Sequence, residues 1–235
     1  SLLSRNCGWL PPAVDGSVPE MNEQDLITRI RVAYTKGHPL RFTGHLDLQR
    51  LWERLLRRSG LPVRYSQGYH PRARLNLASA LPLGFISDSE LLDFWMNEPK
   101  PLPEVQAQLD AAAPPGMEIL SVQEVALSED SLQSRMHASE FSVTFFDSQD
   151  LEKLNGKVRE FLALEEILRT RRKKTYDLRP LILKLEAGLI ESSEPGLWMC
   201  LLAEPGATGR PDEVLDEMGF MNTQYLVRRT RLILE

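Results

Sequence analysis

Residues 29–60 read RIRVAYTKGHPLRFTGHLDLQRLWERLLRRSG and decide the fold class. The opening RIRVAYT alternates, with Ile30, Val32 and Tyr34 on one side and Arg29, Arg31 and Ala33 on the other, which predicts a strand with one buried face. HLDLQRLWERLLRRSG then carries apolar residues at helical spacing, which predicts an amphipathic helix with Thr43 as its N-cap. A strand followed by such a helix begins a mixed α and β architecture.

The same alternation of strand and helix patterns continues to the end of the chain. Later predicted strands are ARLNLAS, ELLDFWMN, MEILSVQEVAL, EFSVTFF, LILKLEA, GLWMCLL and QYLVRRTRLIL, and later predicted helices are PLPEVQAQLDAAAPPG, DLEKLNGKVREFLALEE and RPDEVLDEM. The order β-α-β-β-α-β occurs twice, which predicts an α+β protein of two tandem ferredoxin-like (βαββαβ) domains. The predicted boundaries are a linker or arm at 1–27, domain 1 at 28–127, a polar hinge at 128–139 and domain 2 at 140–235.

Charge is segregated along the chain although the net charge is only −5. Between Arg29 and Asn76 there are eleven Lys/Arg and two acids, a local +9, whereas Leu77 to Glu166 holds seventeen acids and five bases, a local −12. Blocks of opposite sign either attract polyanions or join complementary parts of a protein.

Arginines are expected on the sheet face that the helices leave uncovered. If Ile30, Val32 and Tyr34 face the helices, Arg29 and Arg31 face the other way, and by the same logic so do Arg72 and Arg74. Two explanations remain open for this face. It is either a phosphate-binding or nucleic-acid surface, or an internal ion network in which Asp93 pairs with Arg31 and Glu118 or Glu124 pairs with another arginine.

Three further features suit nucleic-acid contacts. The loop YSQGYHPR, residues 65–72, can stack aromatic rings on bases, or it can pack Tyr69 and His70 under the sheet edge. The segment RTRRKKTYDLRP, residues 169–180, is either a phosphate-contacting loop or a solvated one, with Asp177 holding Arg179 or capping a turn. The predicted nucleic-acid-binding residues are Arg29, Arg31, Arg54, Arg58, Arg64, Tyr65, Gln67, Tyr69, His70, Arg72, Arg74, Arg171, Arg172, Lys173 and Lys174.

Evidence for catalysis is slight. We predict no metal site, because no HxH or HExxH spacing occurs. His45, at the predicted start of a helix, is a candidate general acid or base for RNA cleavage, or else a capping or core residue. The two cysteines, Cys7 and Cys200, suit a reducing compartment, and we expect a cytoplasmic protein without a membrane-spanning helix.

Residues 42–84, FTGHLDLQRLWERLLRRSGLPVRYSQGYHPRARLNLASALPLG, resemble the radical-SAM-linked domain of unknown function, as do KKTYDLRPLI (173–182) and RPDEVLDEMG (210–219). That family is encoded beside, or fused C-terminally to, radical SAM proteins with B12-binding-like N-terminal regions. The resemblance implies a radical SAM partner, fused or separate, that would carry the iron–sulfur cluster and S-adenosylmethionine. It implies no cofactor and no assigned catalytic residue in this chain, which lacks the CxxxCxxC motif.

Three functions follow as hypotheses. The first is a non-enzymatic accessory domain of a radical SAM protein that binds RNA, such as transfer or ribosomal RNA, through its arginines. The second is a protein-docking module for the radical SAM core. The third is a metal-independent endoribonuclease, because tandem ferredoxin-like domains resemble CRISPR-associated RNA-processing endonucleases, although the Gly-rich loop of those enzymes is missing here. Whether the chain is itself an enzyme stays open, with a non-enzymatic role favoured.

Overall fold

The computed structural model describes residues 26–171, 173–190 and 193–235. Within these ranges the chain forms a nine-stranded mixed sheet, a separate two-stranded hairpin and five α-helices. The predicted α+β class is therefore confirmed. The predicted linker or arm falls almost entirely outside the described ranges. None of the helices in these ranges has the length and apolar character needed to cross a bilayer.

The first half of the chain supplies four strands and two helices. In chain order they are β1 (Thr28–Lys36), α1 (His45–Ser59), β2 (Leu75–Leu77), β3 (Ile86–Met96), α2 (Leu102–Ala112) and β4 (Ile119–Val125). A one-turn helix, α3 (Leu132–Arg135), leads into the second half. The second half contains β5 (Met136–Phe145), α4 (Leu151–Leu162), β6 (Leu168–Arg171), β7 (Lys174–Asp177), β8 (Ile182–Ile190), β9 (Glu194–Glu204), β10 (Ala207–Thr208), α5 (Pro211–Glu217) and β11 (Tyr225–Leu234).

Four local predictions need correction. Gly44, not Thr43, is the N-cap of α1, and it offers no side-chain cap. The strand predicted from ARLNLAS shortens to β2, since only three of its residues pair with β3. The polar hinge contains α3 and the first residues of β5. The basic loop forms the hairpin of β6 and β7, because Lys173 adopts the left-handed conformation (φ 68°) that a tight turn requires.

The strand order places the two halves side by side in one sheet. In the first half β4, β1, β3 and β2 are neighbours in that order, and in the second half β11, β5, β9 and β8 are neighbours. All of these pairs are antiparallel. The halves join where β11 runs parallel to the start of β3, with Arg228 opposite Ile86 and Arg229 opposite Ser87.

Each half has its own apolar core between the sheet and its helices. In the first half, alternate residues of β1 pack against the buried stripe of α1, which includes Trp52 and Leu55. In the second half, alternate residues of β5 and β9 pack against α4 and α5, which contribute Leu154 and Val214. The period-2 and helical apolar patterns account for these contacts, because each pattern leaves one face that must be removed from water.

Candidate nucleic-acid interface

The two arginines of β1 do not reach solvent. Arg29 is 2% exposed and Arg31 is 5% exposed, and both side chains contact the fully buried Asp93 of β3. Arg29 Nη2 lies 2.6 Å from Asp93 Oδ2, and Arg31 Nε lies 2.8 Å from Asp93 Oδ1. The predicted nucleic-acid surface needs Arg29 and Arg31 to be exposed, and their burial shows that this expectation is wrong. The alternative prediction, that Asp93 pairs with Arg31, is confirmed.

The segment before β5 covers this part of the sheet. Arg29 donates hydrogen bonds to the carbonyl oxygens of Glu129 and Asp130, and Arg31 Nη1 lies 2.7 Å from Glu129 Oε1. The hydrogen bond from Arg31 lowers the pKa of the Glu129 carboxyl. Leu132 of α3 is fully buried in a small apolar cluster on the same side. Glu129 thus takes the place of Glu118 or Glu124 as the second acidic partner.

Arg74 lies further along the same face and is exposed. Its guanidinium carbon lies 4.4 Å from the centre of the Trp95 ring, and that of Arg29 lies 5.3 Å from the same ring. Stacking on an indole holds a guanidinium in place without consuming its hydrogen bonds. Arg74 therefore stays available to an outside anion.

The loop between α1 and β2 projects from the end of the sheet. Its two sides are joined by hydrogen bonds from Ser66 N to Arg72 O and from Arg74 N to Arg64 O, both 2.8 Å. Tyr69 is fully exposed, and Gln67 and His70 are also exposed, which rules out packing of Tyr69 and His70 under the sheet edge.

One end of the molecule therefore gathers seven of the fifteen predicted residues. The loop and the start of β2 bring together Arg64, Tyr65, Gln67, Tyr69, His70, Arg72 and Arg74. At the base of this loop, Arg64 Nη1 donates to Asn97 Oδ1 over 3.2 Å, and both residues line a cavity of about 590 Å³. Within the described residues, no ion pair involves Arg72 or Arg74. Aromatic rings beside arginines that lack carboxylate partners are the arrangement that single-stranded nucleic acid requires.

Arg54 and Arg58 lie elsewhere, on the outer side of α1. Both are exposed, and Arg58 Nη2 donates to Ala112 O over 2.8 Å at the end of α2. Because α1 covers the opposite face of the sheet from Arg74, these arginines and Arg74 do not form one continuous strip.

The second basic block is partly neutralised. Arg171 Nη1 lies 3.6 Å from Glu213 Oε1, while Lys173 and Lys174 are exposed at the tip of the β6–β7 hairpin. Arg172 lies outside the described residues. Asp177 Oδ1 accepts a hydrogen bond from the backbone N–H of Arg179 over 2.9 Å, so it caps the turn rather than holding the Arg179 side chain.

His45 is the first residue of α1, as predicted, and is exposed. It lines a cavity of about 380 Å³ between the two halves, together with Arg171, Arg210 and Arg229. Arg210 and Arg229 were not among the predicted site residues, although Arg229 belongs to the basic cluster of Arg228, Arg229 and Arg231 near the end of the sequence. The described residues contain no group of three His, Cys, Asp or Glu side chains that could hold a metal ion.

A buried polar cluster at the junction of β1, β3 and β11 also escaped prediction. Lys36 is fully buried and donates to Phe85 O over 3.0 Å, and burial lowers its pKa to about 8. Glu90 and Arg229, also buried, approach within 3.2 Å of each other across the junction of the two halves. The only sequence signal was that Lys36 and Glu90 interrupt apolar strand positions.

Residues 29–211 match the family described as an uncharacterized protein conserved in bacteria (DUF2344), and the chain belongs to that family. Among curated proteins, none matches this sequence. Among solved structures, the chain is similar to one in the crystal structure of a Cbf5-Nop10-Gar1 complex, with 10% identity over 87% of this chain and a TM-score of 0.45. A chain in the archaeal box H/ACA sRNP Nop10-Cbf5 complex shows 9% identity over 88% of this chain and a TM-score of 0.40. The match spans 48% of the first of these chains and 47% of the second.

Proposed function

We propose that this chain is a non-enzymatic accessory module that binds RNA and serves a radical SAM protein. The observation that carries the RNA-binding part is the projecting loop at residues 64–74. It presents a fully exposed Tyr69 between arginines that have no carboxylate partner among the described residues. A fully exposed aromatic ring gains little for the fold, whereas it gains stacking energy with any unpaired base.

The proposed contacts combine capture and stacking. Arg72 and Arg74 would neutralise phosphates, and Tyr69 and Tyr65 would stack on bases, with Gln67 and His70 supplying hydrogen bonds. Lys173, Lys174 and Arg58 lie on other surfaces of the molecule, so only an RNA long enough to pass around it would contact them as well.

The proposal also includes the architecture that presents this loop. When the hairpin strands β6 and β7 and the two-residue β10 are left out, the four remaining strands of each half follow the order 4-1-3-2, which supports two tandem ferredoxin-like units. The domain boundaries at 28–127 and 140–235 also remain predictions.

The test is a titration of the chain with transfer RNA at two salt concentrations. We expect binding at ~50 mM salt that weakens steeply at ~200 mM salt, because phosphate contacts release counterions. Tyr69→Ala should weaken binding by roughly five- to 160-fold at either salt, since stacking on one base is worth ~1–3 kcal/mol. Arg72→Glu should instead flatten the salt dependence.

The matched control is Lys153→Glu on α4, an exposed charge reversal in the second half that should leave binding unchanged. Absence of binding at low salt, or equal losses in Tyr69→Ala and the control, would remove the proposed interface. Cleavage of the RNA that disappears in His45→Ala would favour the endoribonuclease hypothesis instead.

One observation supports the protein-docking alternative and another opposes it. Arginines do clamp acidic groups, but Arg29 and Arg31 clamp Asp93 and Glu129 of their own chain. Docking to a radical SAM core therefore has to use another surface. Co-purification of a radical SAM protein with this chain, retained in Tyr69→Ala, tests the partnership separately from RNA binding.

A further inference from the structure

The cavity between the two halves has features that the RNA proposal does not use. It lies where β11 joins β3, and side chains from both halves line it. Its volume of about 380 Å³ is near the lower limit for small-molecule sites, which run from ~300 to 1,000 Å³. A folded RNA does not fit such a space, but a molecule of mononucleotide size does.

The charged side chains that line this cavity are all basic. Arg171, Arg210 and Arg229 contribute guanidinium groups, and His45 contributes an imidazole. No Asp or Glu is among the lining residues. Several of these basic groups can therefore contact one bound anion at the same time.

Carboxylates hold these arginines from outside the lining. Arg210 Nη2 lies 2.7 Å from Asp212 Oδ2, Arg171 Nη1 lies 3.6 Å from Glu213 Oε1, and Arg229 Nε lies 3.2 Å from Glu90 Oε1. These pairs balance the charge, so attraction at long range is weak. Their effect is to orient the guanidinium groups in advance, which lowers the entropy lost when a ligand binds.

Arg229 is the strongest single indication. It is 1% exposed, and burying a guanidinium is costly unless its N–H groups are satisfied. Within the described residues the one hydrogen bond of its guanidinium runs from Nη2 to Ala80 O over 3.2 Å, and its Nε lacks a hydrogen-bond partner of suitable geometry despite the nearby Glu90. A guanidinium has five N–H donors, and beyond the N–H groups directed at Ala80 O and towards Glu90, this guanidinium has N–H groups left for an anionic ligand in the cavity that it lines.

The remaining walls suit an uncharged ring and a sugar. Leu81, Pro82 and Phe141 supply apolar surface, and Ser79, Ser139 and Thr208 are also among the lining residues. Three guanidinium groups from separate elements match the three free oxygens of a phosphate monoester better than the two oxygens of a carboxylate.

We propose that this cavity binds a nucleoside monophosphate, with the phosphate at the arginines and His45 and the base against the apolar wall. The proposal does not depend on the RNA interface. Trp95, beside the loop, lies eight residue steps along β3 from Ser87, beside the cavity, so the two sites lie about 26 Å apart along the strand.

The test is calorimetric titration of the full chain with each of the four ribonucleoside monophosphates, the corresponding nucleosides and inorganic phosphate. We expect at least one monophosphate to bind at least tenfold more tightly than its nucleoside and than inorganic phosphate. Arg171→Ala and His45→Ala should each weaken that binding by about fivefold or more, because each removes a donor to the phosphate. Both residues are exposed, so these variants should fold.

Lys153→Ala, on the surface of α4, is the control and should bind as the unaltered chain does. If no monophosphate binds at millimolar concentration, the assignment is wrong. It is also wrong if nucleoside or inorganic phosphate binds as tightly as the monophosphate, or if Arg171→Ala and His45→Ala match the control. None of these results bears on the transfer RNA titration, whose binding variants, Tyr69→Ala and Arg72→Glu, lie in the loop at residues 64–74.

Discussion

Oδ2 of Asp93 lies 2.6 Å from Nη2 of Arg29, and neither side chain reaches solvent. Arg31 joins the same carboxylate from the next position on that face of β1. Two guanidinium groups therefore share one buried carboxylate, and Glu129 supplies the second negative charge. The face of β1 that the charge pattern suggested as a binding surface is therefore part of the protein interior.

Asp93→Asn should destabilise the fold severely. Removing one partner of a buried ion pair leaves uncompensated charge, which costs about 3–5 kcal/mol of unfolding free energy. Urea denaturation measures the loss. Asp88→Asn is the control, because Asp88 pairs with Arg228 at the surface, where such pairs are worth about 0–1 kcal/mol. Similar losses in the two variants would contradict the buried network.

Leu132→Ala should also destabilise the chain, by about 2–5 kcal/mol. Leu132 is fully buried and belongs to the segment that covers Arg29 and Arg31. Leu127→Ala, at an exposed position just before that segment, should change stability by less than about 0.5 kcal/mol. Equal stability of the two variants in thermal melts would show that residues 129–135 do not pack on the sheet.

Lys36 should make stability rise with pH above neutrality. Burial lowers its pKa in the folded chain to about 8 from an ordinary value of 10.5, with Glu90 opposing and Arg229 reinforcing the shift. Between pH 8 and pH 10.5 the unfolded chain binds more protons than the folded chain, so the unfolding free energy increases as pH rises. Below pH 8 both states are protonated and the cost of burial is fully present.

The comparison with Lys36→Met isolates this contribution. The unfolding free energy of the unaltered chain, relative to that of Lys36→Met, should increase by about 3 kcal/mol between pH 7 and pH 10.5. Other titrating groups affect both proteins alike and cancel in the difference. A difference that stays constant over this range would mean that the buried amine is not perturbed.

Gly196→Ala should push β9 away from β5. A Cβ atom at Gly196 would lie 2.4 Å from Val143 O, a backbone atom of β5 that cannot move aside alone. We expect a loss of about 1–3 kcal/mol in unfolding free energy. Gly188 pairs directly with Gly196 and has open space around its Cα, so Gly188→Ala is the control. Chemical denaturation that ranks the control as the less stable variant would contradict the strand register.

Much of this architecture was already present in local patterns. The alternation in β1 and the apolar stripe of α1 depend only on residues a few positions apart, so the sequence predicted both elements and the side of the strand on which Arg29 and Arg31 lie. The aromatic and basic loop was likewise recognisable, because its turn residues and its charges are contiguous. Its exposure was one of two alternatives until the packing was known.

Contacts between segments that lie far apart in the sequence could not be predicted from local patterns. Glu129 follows Arg31 by 98 residues, and Arg229 follows Glu90 by 139, and nothing in the neighbourhood of either residue indicates its partner. Residue spacing specifies which face of a strand an arginine occupies, since backbone geometry sets the period. Whether that face meets water or a carboxylate depends on where remote segments pack, and that is decided by the burial of apolar surface across the whole chain.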